Sequence, residues 1–175
     1  MAASVCCCTG RSAGANGPDG LRRSLLLRHL TGAVNMRILF DPNTLQQSQM
    51  GSVTGVVYFE FNPDLQFPLA GWNDFVVVVA NWWRAALKQI SEGQAEADFL
   101  FMDGPYWISA VSRGTNLLLR CVEDRGGAGL VYEVVVQVDD LKRELITFAR
   151  DVSVACKAAG IESTDLDELR SHLPS

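Results

Sequence analysis

Between Val53 and Phe61 the chain reads VTGVVYFEF, with Val57, Phe59 and Phe61 on one face and Val56, Tyr58 and Glu60 on the other. A period of two is the mark of a strand with one buried face. RILF, from Arg37 to Phe40, opens an earlier strand that ends near Asp41 and Pro42, and the polar NTLQQSQMGS after it reads as a loop. Asn62, Pro63 and Asp64 supply turn chemistry, so LQFPL returns as a short edge strand, where Pro68 is tolerated. Further along, DFLFM, YWISAVS, NLLLRCVED and GLVYEVVVQV read as strands separated by Asp103-Gly104-Pro105, Arg113-Gly114-Thr115 and the glycine-rich stretch from Arg125 to Gly129. Connections this short specify antiparallel hairpins, because parallel neighbours need long crossovers.

The stretch GWNDFVVVVANWW, residues 71 to 83, fits neither period at first sight. As a strand it would bury every position and leave Asp74 and Asn81 without an outlet. As a helix, Asp74, Asn81, Arg84, Lys88 and Ser91 align at helical spacing, with only Val77 interrupting, while Phe75, Val76, Val78, Val79, Trp82, Trp83, Ala86, Leu87 and Ile90 cover the rest. Such a cylinder belongs against a sheet. Valine costs a helix a few tenths of a kcal/mol per residue, roughly, whereas a buried large side chain returns about 1.5 to 3 kcal/mol, so packing overrides propensity. Asn73 or Asp74 is placed to cap the first turn.

A second long helix spans Asp139 to Ala159, where Leu141, Leu145, Phe148, Val152, Cys156 and Ala159 recur on one face and Gly160 stands at the left-handed cap position. Thr164 caps a short acidic helix, DLDELRSHL, whose Leu166, Leu169 and Leu173 lie on one side; it packs on the domain or on a partner. The expected fold is α+β: a mainly antiparallel sheet of about five or six strands, ordered strand-strand-helix-four strands-helix, with two long helices packed on it. This domain covers residues 36–160, and 161–175 form a short C-terminal helix and tail.

Composition narrows the class. Of 175 residues 48% are hydrophobic and 20% charged, which suits a globular chain of one domain with a tail. The net charge is -5, but residues 1–35 hold Arg11, Arg22, Arg23 and Arg28 against Asp19 alone; that segment is +3, leaving -8 on the rest. An acidic domain is a poor ligand for nucleic acid, whose binding runs on neutralisation of phosphates by Lys and Arg. No apolar run approaches the roughly 20 residues a membrane span needs, since Asn81, Arg84 and Lys88 break the longest one. Of the five cysteines Cys6, Cys7 and Cys8 are adjacent, and Cys121 and Cys156 stand far apart, which does not make a disulfide framework; a reducing, cytoplasmic compartment is expected. Residues 1–35 are expected to be a disordered extension, either preceding an ordered start at Met36 or serving as an Arg-rich targeting segment. Three neighbouring thiols without a partner His or Cys pair do not match tetrahedral metal-ligand spacing.

Candidate chemistry is sparse. His29 and His172 are the histidines, both in terminal segments, which argues against a His-based triad or metal site. RGGAGL joins two antiparallel strands and opens no helix, so it reads as a hairpin turn rather than a phosphate loop. Asp103, Glu123 and Asp124 near strand ends, and Asp139 and Asp140 at a helix start, read as solvated turn and cap residues. No cofactor, metal or catalytic residue is assigned. Among the aromatics, Trp72, Trp83, Trp107 and Tyr132 are the candidates for facing a ligand or partner, because a buried indole or phenol needs a polar outlet.

From Phe67 to Leu87 the sequence is FPLAGWNDFVVVVANWWRAAL. Phe-Pro, three residues, Trp-x-Asp-Phe, valines and then Trp-Trp resembles a motif of small bacterial proteins, some of them immunity-type proteins of toxin systems. The resemblance extends over Met36 to Gly160, implies a bacterial cytosolic origin, and transfers no catalytic residue. The expected function is therefore a non-enzymatic interaction module, of immunity or chaperone-like type, engaging a basic protein partner. The alternative is a small-molecule-binding domain with a pocket between sheet and helix lined by Trp83, Trp107 and Tyr132.

Overall fold

The computed structural model describes residues 29–30, 34–124, 126 and 128–173. The expectations for residues 1–28, including Cys6 to Cys8, lie outside the described residues.

Nine strands and three helices follow one another among the described residues. β1 (His29–Leu30) precedes a first group of strands, β2 (Arg37–Gln47), β3 (Val53–Asn62), β4 (Leu65–Phe67) and β5 (Asn73–Asp74). Helix α1 (Val76–Ser91) leads to β6 (Glu96–Leu100), β7 (Tyr106–Arg113), β8 (Asn116–Asp124) and β9 (Ala128–Gln137), and α2 (Val138–Ala158) and α3 (Thr164–Ser171) close the chain. The fold is α+β and its strands are mainly antiparallel, as expected; the order differs from the expected one in that five strands, not two, precede α1.

The strands divide into two sheets, not the single sheet expected. In the first, β2, β3 and β4 lie side by side and β5 also pairs with β3, all antiparallel. In the second, β6 to β9 form an antiparallel meander, and β1 adds to β9 in parallel. Alternation reports that a strand has a buried face. It does not report which sheet that face meets, so sequence periodicity could not separate the two.

β3 follows its alternation residue by residue: Val53, Gly55, Val57, Phe59 and Phe61 are buried and the residues between them are half-buried. β2 runs past Pro42 into the stretch expected to be a loop. The proline is accommodated on an edge strand at a register shift between Asp41 and Gln46. There Asp41 Oδ1 accepts from the Asn43 N–H at 2.9 Å, and Thr44 Oγ1 accepts from the Val56 N–H at 2.8 Å, so the irregularity is hydrogen-bonded.

The sheets meet through aromatic rings. Phe61 and Phe67 from the first each lie 5.9 Å from Tyr132 of the second, and Phe67 lies 5.8 Å from Tyr106. α1 seals one end of this core with Trp83, which is wholly buried and sits 4.9 Å from Phe59, 5.1 Å from Phe101 and 5.5 Å from Phe148 of α2. The valine run is helical as expected, with Val76, Val77 and Val79 buried. α2 packs on β2 through Phe148 and Phe40, and Glu144 Oε2 accepts from the Ile38 N–H at 3.3 Å.

α3 docks in cis. Leu166 and Leu169 have no exposed surface, and Asn81 Nδ2 of α1 donates to the Asp165 carbonyl at 2.9 Å. Its first turn is capped by Ser163, whose Oγ accepts from Leu166 N–H, and not by Thr164.

Candidate functional site

Asp74 ends the two-residue strand β5, just before α1, and only 1% of its surface is exposed. The expected helix cap is not formed: the α1 cap residue is Phe75, with no side-chain bond into the first turn. The carboxylate is engaged elsewhere. Oδ1 accepts from the N–H groups of Phe75 at 2.7 Å, Met102 at 3.2 Å and Asp103 at 3.2 Å, while Oδ2 accepts the Trp72 indole N–H at 3.1 Å. A buried carboxylate with no cation beside it survives because its oxygens are filled with donors. Burial raises its pKa from the ordinary 3.8, and the bonds from Phe75, Trp72, Asp103 and Met102 oppose that rise.

Asp74 thereby pins the loop between β6 and β7 to the entrance of α1. Trp72 presses on the same loop from the side, 5.0 Å from Tyr106 in an edge-to-face arrangement and in contact with Gly104. Gly104 has φ +70°, and a Cβ there would come within 2.9 Å of the Trp72 ring, so both backbone conformation and space require glycine. The Trp-x-Asp-Phe motif is a clamp on this loop.

The clamp holds an open groove of about 400 Å³. Trp82 of α1, Leu100, Met102, Pro105, Trp107 and Asp124 are among the residues that line it. Trp82, Leu100 and Met102 are 40%, 44% and 46% exposed, which is unusual for side chains of this size clustered in one place. The flanks are acidic. Asp103 lies exposed in the clamped loop, and Asp98 and Glu96 line the edge strand β6 beside Leu100.

The residues expected to face a ligand or partner separate into two groups. Trp107 is half-buried and lines the groove; Trp72 is half-buried and serves the clamp behind it. Trp83 and Tyr132 are both buried, which does not fit the expected role of facing a ligand or partner. Trp83 is 0% exposed and its indole N–H donates to the Leu100 carbonyl at 2.7 Å; Tyr132 is 5% exposed and its hydroxyl donates to the Gln66 carbonyl at 2.9 Å. Each polar atom finds its outlet inside the core, so neither ring needs the surface. Of Trp83, Trp107 and Tyr132, Trp107 alone is among the residues that line the groove.

Sequence reasoning missed Leu100 and Met102, and counted Trp82 among the aromatics able to line a pocket without singling it out. A signal was present for each. Trp82 shares its helical row with Ala85 and Gln89, both exposed, whereas Trp83 shares its row with Val79, Leu87 and Ile90. In β6 and the residues after it, Leu100 and Met102 alternate onto the face of Asp98, opposite Phe99 and Phe101.

A smaller cleft of about 180 Å³ lies between α1 and α3, on the far side of Trp82, lined also by Asn81, Arg84, Asp165 and Glu168. Cys121 and Cys156 are buried free thiols. Burial pushes the Cys121 thiol well above its ordinary pKa and raises Tyr132, its cross-strand neighbour, in the same direction; burial also raises Cys156, with Arg170 pulling partly the other way. Raised thiol pKa values and burial make both cysteines poor nucleophiles. Among the described residues no group of three or more His, Cys, Asp and Glu side chains is placed to hold a metal ion, and no helix is long and apolar enough to cross a membrane. No protein-family model, no curated protein and no solved structure matches the chain.

Proposed function

We propose that the protein is a non-enzymatic interaction module, of immunity or chaperone-like type, that holds a basic protein partner in the groove between α1 and the β6–β7 loop. The supporting observation is the convergence of Trp82, Leu100 and Met102, each 40% or more exposed, on one groove bordered by carboxylates. Tryptophan and methionine are favoured at interface centres because they bury much apolar area and adapt to a partner's shape. The acidic flank of Glu96, Asp98 and Asp103 steers a basic surface toward this patch and keeps the β6 edge from pairing with other edges. The clamp holds the groove's loop in place before any partner arrives, which reduces the ordering cost of association.

The test is Leu100→Arg with Met102→Arg, at two exposed side chains. Wild type and the double variant are used in parallel to capture proteins from the native host, and the retained partner is purified and titrated. The expected result is a basic protein that binds more tightly at low salt and loses at least about ten-fold in affinity to the variant, about 1.4 kcal/mol. Finding no basic protein whose retention depends on these two side chains would overturn the proposal.

A further inference from the structure

The outer face of the β6–β9 meander carries a second apolar surface. The register places Leu100, Trp107 and Val122 in one row across β6, β7 and β8, and Val111, Leu118 and Val135 in another across β7, β8 and β9. Four residues separate the two rows along β7 and along β8, about 13 Å. These side chains point away from the first sheet, since they alternate with Phe99, Ile108, Leu119 and Val134, which are buried in the core. Leu118 is 5% exposed and is the one buried apolar side chain among the described residues that stands outside that core. Val135 and Leu100 are 40% and 44% exposed, and Trp107, Val111 and Val122 are half-buried.

A polar row runs between them, with Asp98, Ser109, Arg120 and Glu133 in register. Much of it is satisfied within the sheet: the Ser109 hydroxyl donates to Glu96 Oε1, and Arg120 Nε donates to Glu133 Oε1 at 3.0 Å. Asp98 is exposed, and its carboxylate has no hydrogen bond or ion pair among the described residues. A cover over β6 and β7 therefore meets one open anionic position between two apolar ones. That spacing selects the occupant. A helix laid along a strand touches it about every 6 Å, at residues four apart, and same-face residues of a strand repeat about every 6.6 Å, so the two run in step. Such a helix meets Leu100 and Trp107, then Asp98, then Val111. A second copy of this chain would bring Glu96 and Asp98 against the same carboxylates, whereas a basic segment is drawn to them.

We infer that this face takes a cationic amphipathic helix of the partner, laid along β6 and β7 with apolar side chains on Leu100, Trp107 and Val111 and a lysine or arginine between them on Asp98. The inference rests on the groove reading, because Leu100 and Trp107 belong to both surfaces, and it names the segment that the partner extends beyond the groove.

The probe is a synthetic helix of leucine, alanine and lysine, about 18 residues long so that it is helical on its own. On its apolar face one lysine stands between two leucines at four-residue spacing, and in the comparison peptide that lysine is glutamate. Each is titrated into the full ¹⁵N-labelled chain. The lysine peptide is expected to shift the Trp107 indole N–H and the backbone amides of Asp98 and Val111 saturably, leaving the Trp83 indole N–H unmoved. Val111→Arg is expected to weaken its binding about five-fold or more, as for a contributing interface side chain. Asp98→Asn is expected to erase the preference for the lysine peptide over the glutamate one, and at an exposed position it keeps the test decisive should the arginine disturb β7. No saturable shift, equal affinity in Val111→Arg, or a preference that survives Asp98→Asn would each overturn the inference. If Leu100→Arg with Met102→Arg releases the captured basic protein and Val111→Arg does not, the helix inference fails and the groove reading stands. If the peptide binds as expected while the groove variant keeps the protein, the groove reading is the one that fails.

Discussion

The Trp72 indole N–H donates to Asp74 Oδ2 at 3.1 Å, two residues along the chain, while the other carboxylate oxygen collects backbone donors from a loop nearly thirty residues away. A short-range pair thus anchors a long-range contact. Asp74→Asn puts an amide N–H₂ against at least one existing donor, and a cost of about 1 to 3 kcal/mol is expected. Because Trp72→Phe removes one of the conflicting donors, the double variant should cost less than the sum of the singles, with a coupling of roughly 0.5 kcal/mol or more from denaturant titrations. Strict additivity would show that the two side chains act separately.

Asp74 also sets a pH dependence. Its folded-state pKa lies above the ordinary 3.8, with burial the main cause. The folded state therefore binds the proton more readily than the unfolded chain, and this contribution to stability is complete below 3.8 and lost as pH rises through the folded value. Measured from neutral pH downward, the stability of wild type relative to Asp74→Asn should increase. A decrease over that range would mean that the donated hydrogen bonds outweigh burial.

Gly104→Ala combines a φ of +70° with a Cβ 2.9 Å from Trp72. A loss of about 1 to 3 kcal/mol is expected, and Trp72→Leu should recover only the part due to the clash. Thermal unfolding of the two single variants and the double separates backbone strain from crowding.

Trp82 and Trp83 are adjacent, yet 40% and 0% exposed. Trp83→Ala is expected to cost about 3 to 5 kcal/mol, as for other large core truncations, and Trp82→Ala about 1 kcal/mol or less. Similar denaturation midpoints for the two would contradict the orientation of α1.

The docking of α3 is tested by Leu169→Ala, expected to cost about 2 to 5 kcal/mol in the isolated chain because the side chain is fully enclosed. A helix kept for a partner would leave the stability of the chain alone unchanged.

Helices α1 and α2 were legible because their apolar rows are long; the valine run declared itself through the polar stripe of Asn81, Arg84, Lys88 and Ser91. The strands of the β6–β9 meander were legible because alternation and Gly-containing turns agree. Three things were not. Membership of two sheets depends on which faces meet, as Phe61 and Tyr132 do across the interface, and no local period encodes that. The burial of Asn81 depends on α3, which arrives more than eighty residues later. Trp83 and Tyr132 were expected at the surface because their polar atoms need partners, but the Leu100 and Gln66 carbonyls supply those partners inside.

The Trp-x-Asp-Phe stretch is the most conspicuous signature in the chain, and its side chains are occupied with the loop they restrain. A protein that shares the signature would inherit the restraint without inheriting the partner. Leu100, Met102 and Trp107 are displayed by the restrained loop and its flanking strands and hold no other part of the fold in register through side-chain hydrogen bonds among the described residues. They are free to diverge, so two chains with the same clamp can recognise different targets, and exchanging these three residues between them should exchange recognition while leaving the scaffold intact.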